Sequence, residues 1–296
     1  MAAITSQVPG VSDPFLYCEQ LAKSHYENFS VVSWFLPKRV RRSMYAVYAF
    51  CRHTDDLGDE APGDRLALLD AWEGELRRCY AGEPQEPIMR ALQETIRRHE
   101  MPMEPFLKLI EANRMDQRNR RYGTYQDLLQ YCEHSATPVG RMVLAVFGYR
   151  DEERQRLSDA TCIALQLANF WQDVSRDFAM GRIYLPQEDM LRFGVSEKEL
   201  AERKATPAFT SLMRFEVERA RGLFDEGARL VPMVSSDLRL DLKLFTAGGR
   251  AILDAVERQG YDTLSRRPQV SKAKKATLAF SGLLGLTAQR LVPARG

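Results

Sequence analysis

The chain has 296 residues, 45% of them hydrophobic, and carries 42 Lys plus Arg against 40 Asp plus Glu, a net charge of +2. That length and apolar content can bury a large core, and the near-balanced charge gives no reason to expect a nucleic-acid partner. Five scattered cysteines without a Cys-x-x-Cys pair and four histidines without ligand spacing point to neither a disulfide framework nor a zinc site.

Met1 to Ser12 has neither a basic start nor an apolar run, so no signal peptide is expected. No apolar stretch reaches the ~20 residues that span a bilayer, and a cytoplasmic protein follows. Ser12-Asp13-Pro14 starts a helix, with Ser12 as N-cap, running to about Tyr26. Asn28 to Pro37 reads as a loop whose Phe29, Val31, Val32, Trp34, Phe35 and Leu36 either roof a pocket or pack into a core. Pro37 opens the next helix. Gly63-Asp64 caps one ending at Ala81, and Gly82-Glu83-Pro84 turns the chain. Helices follow at roughly 86–99 and 104–119. Arg114, Arg118, Arg120 and Arg121, beside Asp116, read as a solvated face or, in part, as an anion-binding group. Thr124 starts a long helix that breaks near Thr137-Pro138, where proline removes a ladder donor and frees backbone groups. A further helix begins near Asp151 or Ser158. Gly194 to Pro207 is a linker with one short helix. Helices at about 208–231, 237–260 and 271–290 complete the chain. No run alternates like a strand, and no linker or low-complexity segment interrupts the helices. The expectation is an all-α, single-domain bundle over residues 1–296, with ten to twelve helices around a central cavity.

Two of these helices carry polar rows. At about 100° per residue, Gln166, Asn169, Asp173 and Asp177 fall within roughly 80° of one another, while Leu165, Ala168 and Val174 lie on other sides. Tyr48, Arg52, Asp55 and Asp59 fall within about 60°, after the almost wholly apolar run Met44 to Cys51. One such row is usually a solvated surface pair. Two, each on an otherwise apolar helix, point to carboxylates that share a divalent cation, because like charges one turn apart repel until a cation intervenes. Mg²⁺ suits this pattern, being held by a few carboxylates, water and phosphate oxygens.

Asp55-Asp56-Leu57-Gly58-Asp59-Glu60 and Asn169…Asp173…Asp177 resemble the two aspartate-rich motifs of the squalene/phytoene synthase family. The likeness extends into Arg182-Ile183-Tyr184-Leu185-Pro186, Tyr131-Cys132 and Val139-Gly140, and covers residues from about 12 to about 285. It implies an isoprenoid-synthase-type helical bundle. It also implies Mg²⁺ at Asp55, Asp59, Asn169, Asp173 and Asp177, and a prenyl diphosphate substrate met by Arg52, Gln166, Arg182 and Tyr184, with Tyr48 and Tyr131 in the cavity. Phe29, Trp34, Phe50, Phe170 and Trp171 are candidates for a dry aromatic wall around a cation.

The departures from the family pattern narrow this. Tyr26-Glu27-Asn28-Phe29 carries an acid where condensing enzymes have a basic residue, which argues for one diphosphate per turnover and places Asn28 near the substrate. Gly248-Gly249-Arg250 stands where those enzymes place an aromatic, so the cavity is locally reshaped. With Ser135 to Gly140 and Asn169 to Asp173, these residues are most similar to the hydroxysqualene synthase branch of hopanoid-producing bacteria. That branch implies presqualene diphosphate as substrate and water as nucleophile. The alternatives are condensation of two farnesyl or geranylgeranyl diphosphates and, in another class, a non-catalytic helical assembly protein. No dinucleotide fingerprint is present, which argues against NADPH. Arg266, Arg267, Lys272, Lys274 and Lys275, followed by an amphipathic stretch from Leu278, either pack as core or give peripheral membrane contact for product release.

Overall fold

The computed structural model describes residues 13–24 and 36–271, and among them every regular element is helical. In chain order these are α1 (Pro14–Ser24), α2 (Lys38–Asp59), α3 (Arg65–Ala81), α4 (Pro87–His99), α5 (Glu104–Arg118) and α6 (Tyr125–Ser135). Next come α7 (Thr137–Val146), α8 (Glu152–Ala179), α9 (Gln187–Phe193), α10 (Glu197–Ala201), α11 (Pro207–Gly227), a 3-10 turn (Ala228–Met233) and α12 (Ser236–Arg258). The expected all-α class holds. Ser12, the segment from His25 through Asn28 to Phe35, and the tail helix at 271–290 lie outside the described residues. The short α9 was not expected from the sequence. The expected 208–231 helix stops at Gly227 and tightens into the 3-10 turn that contains Pro232, a residue with no N–H to continue an α-helix.

Local chemistry explains most boundaries. Asp64 accepts a hydrogen bond from Ala67 N at 3.1 Å to start α3, and Gly82 ends it at φ +103°, a conformation that glycine adopts without strain. Thr124 and Asp127 exchange bonds in a capping box at the start of α6. The break between α6 and α7 falls where Pro138 predicts it. The Glu133 carbonyl is satisfied there by the Thr137 hydroxyl at 2.9 Å, so that carbonyl is not left bare.

The chain forms two compact units: the residues up to Gln117 with Pro138–Arg150, and Arg118–Thr137 with Asp151 onward. In the first, α2 packs against α1, α3 and α4. Its core is built on Phe50, which stacks on Trp72 at 5.6 Å and meets Phe106 edge-on at 5.1 Å. Burying each such ring contributes about 2–3 kcal/mol. Thr54, fully buried, accepts from Trp72 Nε1 at 3.0 Å and donates to the Phe50 carbonyl at 2.8 Å, so the Thr54 hydroxyl and the indole N–H are both paired.

In the second unit α8 is the axis, with α6, α11, α12 and the 3-10 turn against it. A Cβ on Gly249 would collide with Phe224 and Leu165, whereas one on Gly248 meets nothing within 4 Å. Gly249 is therefore a close-packing glycine, and only Gly248 borders open space. Arg219 reaches Asp189 at 2.8 Å and lies over the Tyr125 and Phe215 rings at 3.9 and 4.3 Å. Burial pushes the neighbouring Glu216 carboxyl up to about 8, so it keeps its proton at neutral pH beside Asp189. Among the described residues no helix is long and apolar enough to cross a membrane.

Asp241 on α12 is 2% exposed, and among the described residues neither carboxylate oxygen has a hydrogen-bond partner. Burial, and then the charge of Asp237, pushes it up to about 7. A carboxyl raised in the folded state costs nothing while both states are protonated. It then costs stability as pH rises from its unfolded value near 4 through 7, because the unfolded chain ionises first. Asp241→Asn should match the wild type below about pH 3 and exceed it above pH 7 by on the order of 4 kcal/mol. Thermal melts of both proteins across that range check the expectation, and parallel curves would refute it.

Candidate active site

The first polar row lies on α2. Ser43 to Val47, Ala49, Phe50, Thr54, Leu57 and Gly58 are buried, while Tyr48 and Arg52 are half-buried and Asp55 and Asp59 are exposed. The row is thus the open face of a helix whose other sides are core. Arg52 pairs with Asp56 and, at 2.8 Å, with Glu60. Its guanidinium is held by the acids beside the row, and among the described residues its buried Nε has no hydrogen-bond partner. Protein crowding raises the Asp55 carboxyl, with Asp59 and Asp56 adding repulsion and Asn113 and Arg52 opposing it. Solvent reaches this group and tempers both the crowding and the repulsion. Such a row ionises fully only when a cation sits beside it.

Two residues of α5 support this row. Asn113, 7% exposed, donates to Asp55 Oδ1 at 3.4 Å and to the Leu109 carbonyl at 3.1 Å. Gln117 donates to the Gly58 carbonyl at 2.9 Å and to that of Asn113 at 3.1 Å. The Asn113 side chain occupies the space where a Cβ on Gly58 would stand. Their i, i+4 spacing was the only sequence signal for this pair.

The second row lies on α8. Gln166, Asp173 and Asp177 are half-buried and Asn169 is exposed, while Leu167, Ala168, Phe170, Trp171 and Val174 are buried. Again the polar row is the accessible stripe. Past the helix, Gly181 turns the chain at φ +80° and Arg182 N bonds the Asp177 carbonyl at 2.8 Å. Arg121 fixes this turn by donating to the Gly181 carbonyl at 2.7 Å while gripping Glu197 at 2.7 and 2.9 Å. Ile183 N bonds the Arg120 carbonyl at 3.0 Å and Gln187 N that of Tyr122 at 2.9 Å. In the first unit, Arg114 is committed to Asp70 at 2.6 Å and Glu73 at 2.8 Å. Arg114 and Arg121 are therefore bracing residues rather than a solvated face.

These bonds bring Tyr184 onto Phe170, with ring centroids 3.8 Å apart and an interplanar angle of 7°. Tyr131 lies 5.8 Å and Tyr122 5.7 Å from Tyr184. The sequence marked Tyr131, Phe170 and Tyr184 separately; Tyr122 completes the cluster without having been singled out. A small cleft is lined by Phe170, Trp171, Val174, Asp177, Arg182 and Tyr184. It combines apolar rings with one carboxylate and one guanidinium.

Arg267, which the sequence placed in a basic cluster, joins the second row instead. Its Nε and Nη2 donate to Asp173 Oδ1 and Oδ2 at 2.5 and 2.9 Å, and Nη2 also donates to Gln172 Oε1 at 3.0 Å. Asn28 lies outside the described residues. Among the described residues no three His, Cys, Asp or Glu side chains converge into a metal cage. Oxygen-only donors spaced one turn apart nevertheless fit Mg²⁺, which is usually held by one or two carboxylates and completed by water and substrate phosphate.

The sequence model of the squalene/phytoene synthase family matches residues 22–274. The chain is 33% identical to the 15-cis-phytoene synthase of Synechococcus elongatus over 279 residues, covering 90% of this chain and 91% of that protein. The crystal structure of squalene synthase HpnC from Alicyclobacillus acidocaldarius superposes with a TM-score of 0.82 at 56% identity, covering 84% of this chain and 94% of that one. A ligand-bound dehydrosqualene synthase superposes with a TM-score of 0.84 at 33% identity, covering 93% and 97%. With both aspartate rows, the tyrosine cluster and this match running through both compact units, the chain is an enzyme of the squalene/phytoene synthase family.

Proposed function

We propose that this enzyme ionises presqualene diphosphate and lets water capture the cation, releasing diphosphate and hydroxysqualene in squalene and hopanoid biosynthesis. The observation that carries this choice is the gradient of likeness: 56% identity with a squalene synthase against 33% with a phytoene and a dehydrosqualene synthase. Both compact units serve this one activity as a single synthase domain, a reading supported by a family match that spans them.

Bound Mg²⁺ supplies the positive charge that makes diphosphate a leaving group. Asp55, Asp59, Asn169, Asp173 and Asp177 are the residues to hold it. Arg52 and Arg182 offer fixed positive charge, and Gln166, Tyr184 and Asn28 polar contacts, to the diphosphate. The carbon–oxygen bond breaks with its electron pair leaving on diphosphate. The faces of Tyr131, Phe170 and Tyr184 suit the resulting cation and keep stray water away, with Tyr48 at the edge of the first row. The oxygen of one water forms the new bond, and its proton passes to diphosphate or solvent. This sequence is redox-neutral, so it needs no NADPH; termination to squalene would need a hydride, whereas loss of a proton would give dehydrosqualene without one. The apolar alcohol then leaves most easily toward a membrane surface, which a cytoplasmic enzyme can touch without spanning it.

Purified enzyme with Mg²⁺ and presqualene diphosphate, without NADPH, should yield a C30 alcohol that carries ¹⁸O from labelled water. Rapid consumption of farnesyl diphosphate alone would make it a condensing synthase. A strict NADPH requirement with a hydrocarbon product would make it a reductive squalene synthase.

A further inference from the structure

The Asp173 carboxylate already carries a cation of the protein's own. Arg267 binds both its oxygens, at 2.5 and 2.9 Å, in a two-pronged ion pair. Arg176 stands 3.5 Å from the same Oδ1. The socket for Arg267 is built rather than incidental. Gln172, 7% exposed, accepts from Arg267 Nη2 at 3.0 Å and donates to the Pro268 carbonyl at 2.8 Å. Behind it, Gln259 donates to the Arg266 carbonyl at 2.7 Å and accepts from Arg266 Nε at 3.0 Å. Two glutamines thus seat the 266–268 segment along α8, with its guanidinium on the acidic row.

We infer that Arg267 is a positioning residue that occupies Asp173 in place of the metal and gives way when a divalent cation binds there. The inference rests on the reading of Asp173 as a metal ligand. A guanidinium and a divalent cation cannot share both oxygens of one carboxylate without strong repulsion at close range. The Asp173 side chain is 20% exposed and that of Arg267 40%, and an ion pair this wet contributes little to stability. Its geometry is better accounted for by charge balance in the metal-free row. There it keeps Asp173 oriented and pins the 266–268 segment to α8, so that its release loosens the segment while the Gln172 bond to the Pro268 carbonyl tethers it for return.

The test is Mn²⁺ binding by calorimetry on full-length wild type, Arg267→Gln, Arg267→Lys and Asp173→Asn, with hydrogen exchange of residues 262–271 before and after metal. Arg267→Gln should bind Mn²⁺ about tenfold more tightly than wild type, with Arg267→Lys between them. Exchange in 262–271 of the wild type should rise on adding metal. If Asp173→Asn loses metal while Arg267→Gln binds as wild type does or more weakly, the arginine is only a structural clasp. If Arg267→Gln gains affinity but wild-type exchange does not change, the gain is distant charge and no displacement occurs. If Asp173→Asn binds Mn²⁺ as tightly as wild type, Asp173 is not a ligand, and the metal reading falls together with this one.

Discussion

Asp55→Ala and Asp173→Ala should each lower turnover by about 10³-fold or more, while the helical circular dichroism stays close to wild type. The two effects separate because of where the side chains stand. Asp55 is exposed on α2 and accepts a 3.4 Å contact from Asn113. Asp173 is on the accessible stripe of α8, while Leu167, Phe170, Trp171 and Val174 carry the packing. Removing either carboxylate therefore spares the core. On the proposed reading, what is lost is charge where the diphosphate leaves. A leaving group of that charge departs slowly unless it is neutralised, and one missing ligand also unbalances the repulsion within its row. EDTA should silence the wild type likewise. Near-normal rates in both variants at limiting Mg²⁺ would refute the assignment of these rows to metal.

Gly58→Ala should cost both stability and rate, although alanine is ordinarily the better helix former. The intrinsic preference would give about 1 kcal/mol in favour of alanine. Against it stands overpacking, typically about 1–3 kcal/mol, because the new methyl group lands on the Asn113 side chain. Asn113 is buried and cannot swing into solvent. To make room it must give up its bonds to Asp55 and the Leu109 carbonyl, and α5 must withdraw from α2. A loss of up to about 4 °C in melting temperature follows for a chain of this size. Rate should fall by more than stability alone explains, since Asp55 loses its orienting donor. The double variant Gly58→Ala/Asn113→Ala separates the two effects: it should recover the melting temperature but not the rate. A single variant as stable and as active as wild type would show that the contact has no role.

The local rules of the chain were enough to locate most of the helices, though not the short α9. Asp64, Thr124 and Asp151 cap α3, α6 and α8 as their short polar side chains predict, and Pro138 breaks the chain between α6 and α7. Helical periodicity also sorted the faces of α2 and α8, because a row of Asp and Asn at i and i+4 has to lie on one side. The resemblance to the squalene/phytoene synthase family rested on those same rows and on Arg182-Ile183-Tyr184, and the family match bears it out.

The partners of those rows were decided by tertiary structure alone. Asn113 meets Asp55 across 58 residues and Arg267 meets Asp173 across 94. Neither pairing leaves a period in the sequence. Arg114 and Arg121 look alike in one basic run, yet packing sends Arg114 to Asp70 and Glu73 and Arg121 to Glu197 and Gly181. Tyr122 enters the aromatic cluster because the 120–123 and 182–188 segments bond to each other through their backbones. Caps, breaks and helix faces depend on residues within a turn of one another, so sequence alone determined them. Which charge neutralises which carboxylate depends on segments brought together by burial of Phe50, Trp171 and their neighbours, and only the folded chain decides it.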